Sequence, residues 1–170
     1  ICIRGDMGEE FYRQDRTARS SWRLVVLTGR NSRTYKFALG TALLETAGEG
    51  RTEIPLADLA VPYAMGLVHH LDQAPQAPSG VVSPATDFLT VAREEAEESK
   101  RLGRPTERLL AAAVESMPQM VMQKFHNLPG GTEVPHRFYE VTGRARERIV
   151  RLTAPLQEVA RSEQVASLRG

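Results

Sequence analysis

Apolar residues recur at helical spacing along most of this chain. Over 34–47, Tyr35, Ala38, Leu39, Ala42 and Leu43 fall at i, i+3, i+4, i+7 and i+8, one stripe that Phe37 and Leu44 broaden. Gly48 and Gly50 end it. Residues 56–71 repeat the pattern with Leu56, Leu59, Tyr63, Leu67 and Leu71, and Pro62 predicts a kink or two short helices there. Ser83-Pro84 reads as the N-cap and first residue of a helix reaching position 101, where Gly103-Arg104-Pro105 breaks it. Helices over 105–115 and 118–127 come next, parted at Ser116-Met117-Pro118. Such a pair is the αα unit from which helix-turn-helix readers are made.

The pattern then changes period. After the turn residues Pro129-Gly130-Gly131, Val, Ile, Phe and Tyr crowd into 134–141 and 147–152 around Thr142-Gly143-Arg144-Ala145, a β-hairpin signal. Thr153 with Pro155 opens a short C-terminal helix. Residues 22–28 are apolar and stop at Gly29, and periodicity leaves a strand and a pair of helical turns equally open. Residues 73–82 read as a loop. Residues 1–21 read as a mobile leader, those ahead of Met7 being native or appended. The expected fold is α+β: mainly α with a small β-hairpin. Residues 22–170 would form a single helical recognition domain, with a helix-turn-helix at 105–127, a hairpin at 134–152 and a winged-helix-like C-terminal half.

Composition narrows the class without naming it. A chain of 170 residues with 41% hydrophobic content and balanced charge has the makings of one folded domain. No apolar run approaches a membrane span, so no membrane partner and a cytoplasmic setting are expected. The single cysteine, Cys2, excludes an internal disulfide framework. The net charge of +1 is a sum of unlike parts, basic over 1–36, acidic over 37–123 and basic again over 124–170. Between positions 16 and 36 stand Arg16, Arg19, Arg23, Arg30, Arg33 and Lys36 with no acid among them. Two basic ends around an acidic middle fit a polyanion binder.

Candidate chemistry tracks that charge. On a helix over 117–128, Met117, Val121, Phe125 and Leu128 share one face and Gln119, Gln123, His126 and Asn127 another, with Lys124 beside them. An uncharged, amide-rich face suits base edges, because Gln and Asn bond bidentately to adenine. Arg144, Arg146 and Arg148, at spacing two, would project from one side of a strand and reach phosphates as a wing does, with Arg137 just ahead of them. Arg30, Asn31, Arg33 and Lys36 lead into a helix N-terminus, where free N–H groups favour an anion. The plainer readings are a solvated helix face, a solubilising turn and a helix start capped by Ser32 or Thr34. His69 and His70 are adjacent and diverge on a helix, and His126 and His136 have no Cys or acid at ligand spacing. No metal or other cofactor is expected, and no catalytic residue either: the Gly-x-Ser-x-Gly elbow is absent. Glu94, Glu95, Glu97 and Glu98 read as a solvated helix face paired with Lys100 and Arg101.

Several segments together look familiar. Trp22-Arg23-Leu24-Val25-Val26-Leu27-Thr28-Gly29-Arg30-Asn31, then Tyr35-Lys36-Phe37-Ala38-Leu39 and Ala42-Leu43-Leu44, resemble the opening of a group of bacterial HNH endonucleases of restriction type. Ile54-Pro55-Leu56-Ala57-Asp58-Leu59-Ala60-Val61-Pro62-Tyr63 and Phe125-His126-Asn127 add to the likeness, as does the run from Gly130-Gly131-Thr132 through Phe138-Tyr139. The likeness covers 22–152, and Tyr-Lys-Phe-Ala-Leu is its most specific part; Gly40 replaces a usual alanine and Leu128-Pro129 departs from the pattern. Such proteins carry this region ahead of a nuclease domain whose histidines and asparagine bind a divalent metal. The nuclease residues have no counterpart here, so the resemblance implies the target-recognition or regulatory part, with DNA as partner and a second copy of the chain as another. The alternative is a protein-interaction or dimerisation module that docks through the acidic helix 87–101 without touching DNA.

Overall fold

A computed structural model describes residues 17–27, 33–71, 84–128, 131–144 and 147–169. Its helices are α1 (Ala18–Leu27), α2 (Arg33–Gly48), α3 (Leu56–Leu71), α4 (Pro84–Leu102), α5 (Glu107–Met117) and α6 (Ala154–Arg169). A π-helical turn, Pro118–Met122, extends α5. The strands β1 (Glu53–Pro55), β2 (Tyr139–Thr142) and β3 (Ile149–Leu152) form one antiparallel sheet in the order β1-β3-β2. The mainly helical α+β class expected from the sequence is the class observed.

Residues 22–27 resolve as helix. Ala18, Ser21, Trp22 and Val25 are buried at i, i+3, i+4 and i+7, while Arg23 and Leu24 face out. The helix therefore begins at Ala18, inside the stretch read as leader, because two small residues extend its buried face. Trp22 anchors it, with ring centroids 5.0 Å from Phe138 and 5.5 Å from Phe125. A Cβ on Gly40 would stand 3.0 Å from Val26 Cγ1 and 3.1 Å from Trp22 Cζ2, so the glycine lets α2 close on α1.

α2 packs on α3 and α6, and α3 also meets α4 and α5. Leu39, Leu43, Leu56, Leu59, Tyr63 and Leu109 are fully enclosed between these helices, each burial contributing about 1.5–3 kcal/mol. α3 is one continuous helix through Pro62, so of the kink or two short helices expected there the second is not formed. Thr106 caps α5 by accepting from Leu109 N–H at 3.2 Å, and Ser99 Oγ accepts from Thr106 N–H at 3.1 Å, which joins α5 to the end of α4. Arg108 reaches across to Glu94 at 2.7 Å and Glu95 at 3.3 Å. Of the acidic cluster, the intrahelical pairing expected holds for Glu98 with Arg101, whereas Glu94 and Glu95 serve α5.

The helix-turn-helix is not formed. Met117 (φ −52°, ψ −46°) and Pro118 (φ −58°, ψ −44°) both keep right-handed helical backbone, so no turn separates 105–115 from the π turn at 118–122. Pro118 has no N–H to return to the carbonyl four residues back, and the backbone widens to a π turn from that point while staying helical. Gln123 N–H closes that turn on Pro118 O at 3.1 Å, and turns over 123–126 end the helix before 127. Of the winged-helix outline the hairpin is present and the separate reading helix is not.

Candidate nucleic-acid interface

The π turn changes which side chains of 117–128 point outward. It accommodates one residue more than an α turn, so the phase slips and His126 turns in beside Phe125. Gln119, Gln123, Lys124 and Asn127 stay exposed. His126 is 4% exposed, 5.8 Å from Phe138 and nearly parallel to it. Its Nε2 accepts the Phe138 N–H at 3.0 Å, which requires that nitrogen to be unprotonated. Burial, with the charges of Arg137 and Lys36, draws its pKa down to about 4. His126 is thus a neutral structural acceptor and not a base reader.

Lys36 is turned inward too. Its Nζ donates to Asn127 O at 2.8 Å, and burial lowers its pKa. At 3% exposure it ties the first turn of α2 to the segment just after the π turn, and it is withdrawn from the phosphate contact expected of it. Arg30, Asn31 and Arg146 lie outside the described residues; the backbone of Arg33 opens α2, and its side chain also lies outside the description.

The hairpin places its arginines differently from a strand face. β2 ends at Thr142 and β3 begins at Ile149, so Arg144 sits in the connecting turn and Arg148 just ahead of β3. The outward strand row is instead Glu140 opposite Arg151, which form an ion pair. Gly143 makes the turn possible: its φ is +85°, and a Cβ there would meet Glu147 O at 2.8 Å. Leu56 N–H donates to Arg148 O at 2.9 Å, which pins the residue to the start of α3.

Between the π turn and the β2 edge lies an open cleft of about 380 Å³. Pro118, Met122, Tyr139 and Val141 give it apolar walls, and Gln123, Arg137, Arg148 and Glu140, the last paired with Arg151, give it polar ones. Tyr139 O–H donates to Met122 O at 2.7 Å and fixes the two sides to each other. No salt bridge among the described residues engages Arg137, Arg144 or Arg148. The fold therefore gathers Gln123, Arg137 and Arg148 from three separate segments, with Arg144 next to the cleft residue Gly143. Met122, Tyr139 and Val141 were missed as site residues; the period-two spacing of Tyr139 and Val141 was the signal available for them.

No protein-family model, curated protein or solved structure matches this chain. Arg148 also borders a second, larger groove of about 870 Å³, floored by Ala57, Leu110, Ala111 and Val114 and edged by Glu107, Arg108 and Glu115. No helix among the described residues is long and apolar enough to cross a membrane. No group of three or more His, Cys, Asp or Glu among them is placed to hold a metal ion.

Proposed function

We propose that this chain is a DNA-recognition module, the target-reading part of a restriction-type HNH endonuclease working in the cytoplasm. What supports the reading most is the convergence of Arg137, Arg148 and Gln123 on one cleft beside the turn that carries Arg144. Guanidinium groups with no ion pair among the described residues are suited to bidentate contact with phosphate oxygens, and a glutamine amide offers a donor and an acceptor to a base edge. The resemblance of 22–152 to such nucleases names the polyanion as DNA.

The test is duplex affinity against salt. Each phosphate contact adds about −0.9 to the slope of log K against log salt on duplex DNA. Replacing both Arg137 and Arg148 by Ala should weaken binding and flatten the slope by about 1.8. An unchanged slope removes these residues from the interface. A second reading, a protein-docking module without DNA contact, draws on the apolar floor of the larger groove. It predicts no shift of short duplexes at low salt, and Glu94 and Glu95, held by Arg108, would contribute little to its acidic surface.

A further inference from the structure

Readers of the major groove insert a convex element, a helix or a two-stranded ribbon, whose side chains reach the base edges. Here the amide that could read a base, Gln123, lines a concavity instead, where the rod that carries it gives way to a turn. The cleft has the size of a small ligand site, at the lower end of the usual range of about 300–1,000 Å³. Its make-up is divided in the way a single nucleotide is divided. Val141 presents apolar surface with Met122 and Tyr139 nearly buried behind it, Gln123 presents a paired donor and acceptor, and Arg137 and Arg148 present positive charge beside Glu140, whose carboxylate is held by Arg151. Val141 faces the same side of the sheet as the buried Val150, yet is 39% exposed because nothing of the described chain covers it on the cleft side. An apolar inward-facing strand residue left open beside arginines fits a ligand with one flat apolar part and one anionic part.

We infer that the cleft receives one nucleotide extruded from the duplex, its base against Val141 with an edge on Gln123, and its flanking phosphates on Arg137 and Arg148. This rests on the DNA-recognition reading and specifies how that reading is carried out. Pulling a base from the stack costs a few kcal/mol, and the cost is smallest where pairing is already lost. A site of this kind therefore binds more tightly to a duplex with a mispaired or unopposed base than to the matched duplex. The bases need not be chemically altered for that difference to appear.

The experiment uses the full chain and short duplexes carrying 2-aminopurine, either paired with thymine or placed opposite an abasic site, read by anisotropy and by 2-aminopurine emission. The expected result is at least tenfold tighter binding to the unopposed duplex, with emission rising on binding as the base leaves the stack. Equal affinity for the two duplexes with unchanged emission overturns the inference while leaving DNA recognition standing. Absence of binding to either duplex overturns both. Gln123→Ala, an exposed position at the end of the π turn, should weaken binding to the unopposed duplex by more than binding to the matched one, so that most of the preference is lost. Full preference in that variant overturns the contact assigned to the amide. Free 2-aminopurine nucleoside monophosphate distinguishes a nucleotide-binding pocket from DNA readout: competition at micromolar concentration would assign the cleft to a soluble ligand and overturn extrusion.

Discussion

His126 shows how a residue type that suggests chemistry can be committed to structure. Its imidazole is enclosed by Phe125, Phe138 and Tyr139, and its acceptor nitrogen is occupied by a backbone N–H. Protonation would remove that acceptor and bury a charge near Arg137 and Lys36. The unfolded chain takes up this proton near pH 6.5, whereas the folded one resists until about 4. Stability is thus full above pH 6.5 and falls as the pH drops toward 4, by about 3 kcal/mol in all. Melting temperature measured across that window should decline in the wild type, and the part due to this residue should vanish in His126→Phe. That variant should also lose about 1–3 kcal/mol at neutral pH, since the Phe138 N–H is left unpaired in the interior. Lys36 gives the complementary case. Lys36→Met should destabilise the fold by about 1 kcal/mol through the lost bond to Asn127 O, yet leave the salt dependence of DNA binding unaltered. A flattened slope in that variant would return the amine to the interface.

At the scale of elements, the cleft exists because two short pieces of irregular backbone hold its walls apart. One is the π turn, which puts Met122 and Gln123 at the head of the rod; the other is the β2–β3 turn, which Gly143 allows. Gly143→Ala should lower stability by about 1–3 kcal/mol, because its left-handed φ is unfavourable to a side chain and the added methyl would strike Glu147 O. Chemical denaturation should show the loss, accompanied by weaker duplex binding as Arg144 and Arg148 lose their setting. Tyr139→Phe should cost about 1–3 kcal/mol as well, from the unpaired Met122 carbonyl, and should reduce duplex affinity without changing the number of phosphates contacted. A change in salt slope would instead show that the hydroxyl bond sets the position of an arginine.

Across the whole molecule, the long helices were legible because their stripes keep to the α period. The spans 34–47 and 56–71 and the start at Pro84 lie within a residue of what the backbone adopts. The hairpin was legible from its period-two runs and its central glycine. Three things were not. α1 was obscured because half of its buried face is a small alanine, Ala18, and a polar serine, Ser21, which make a weak stripe. The π turn was invisible to any reading that assumes a constant angular step, and of the face assigned to Gln119, Gln123, His126 and Asn127 it is His126 that turns inward. β1 has three residues, and its place in the sheet depends on a partner strand far away in sequence. The candidate site suffered most, since it draws Gln123, Arg137 and Arg148 from three segments and only packing brings them together.

That distant partner has a consequence in time. β3 is the middle strand, and one of its neighbours, β1, leaves the chain's first third while β3 itself comes near the end, with Ile54 opposite Val150. The helices between them can form and pair through contacts that are short in sequence. Joining β1 to β3 requires closing the long loop that contains them, an entropic cost that must be met before the strand bonds return anything. During synthesis the pinning of Arg148 against Leu56 must therefore wait for β3 to emerge. A protein that stalls short of β3 would lack the strand that seats Arg148 and, with it, one wall of the cleft.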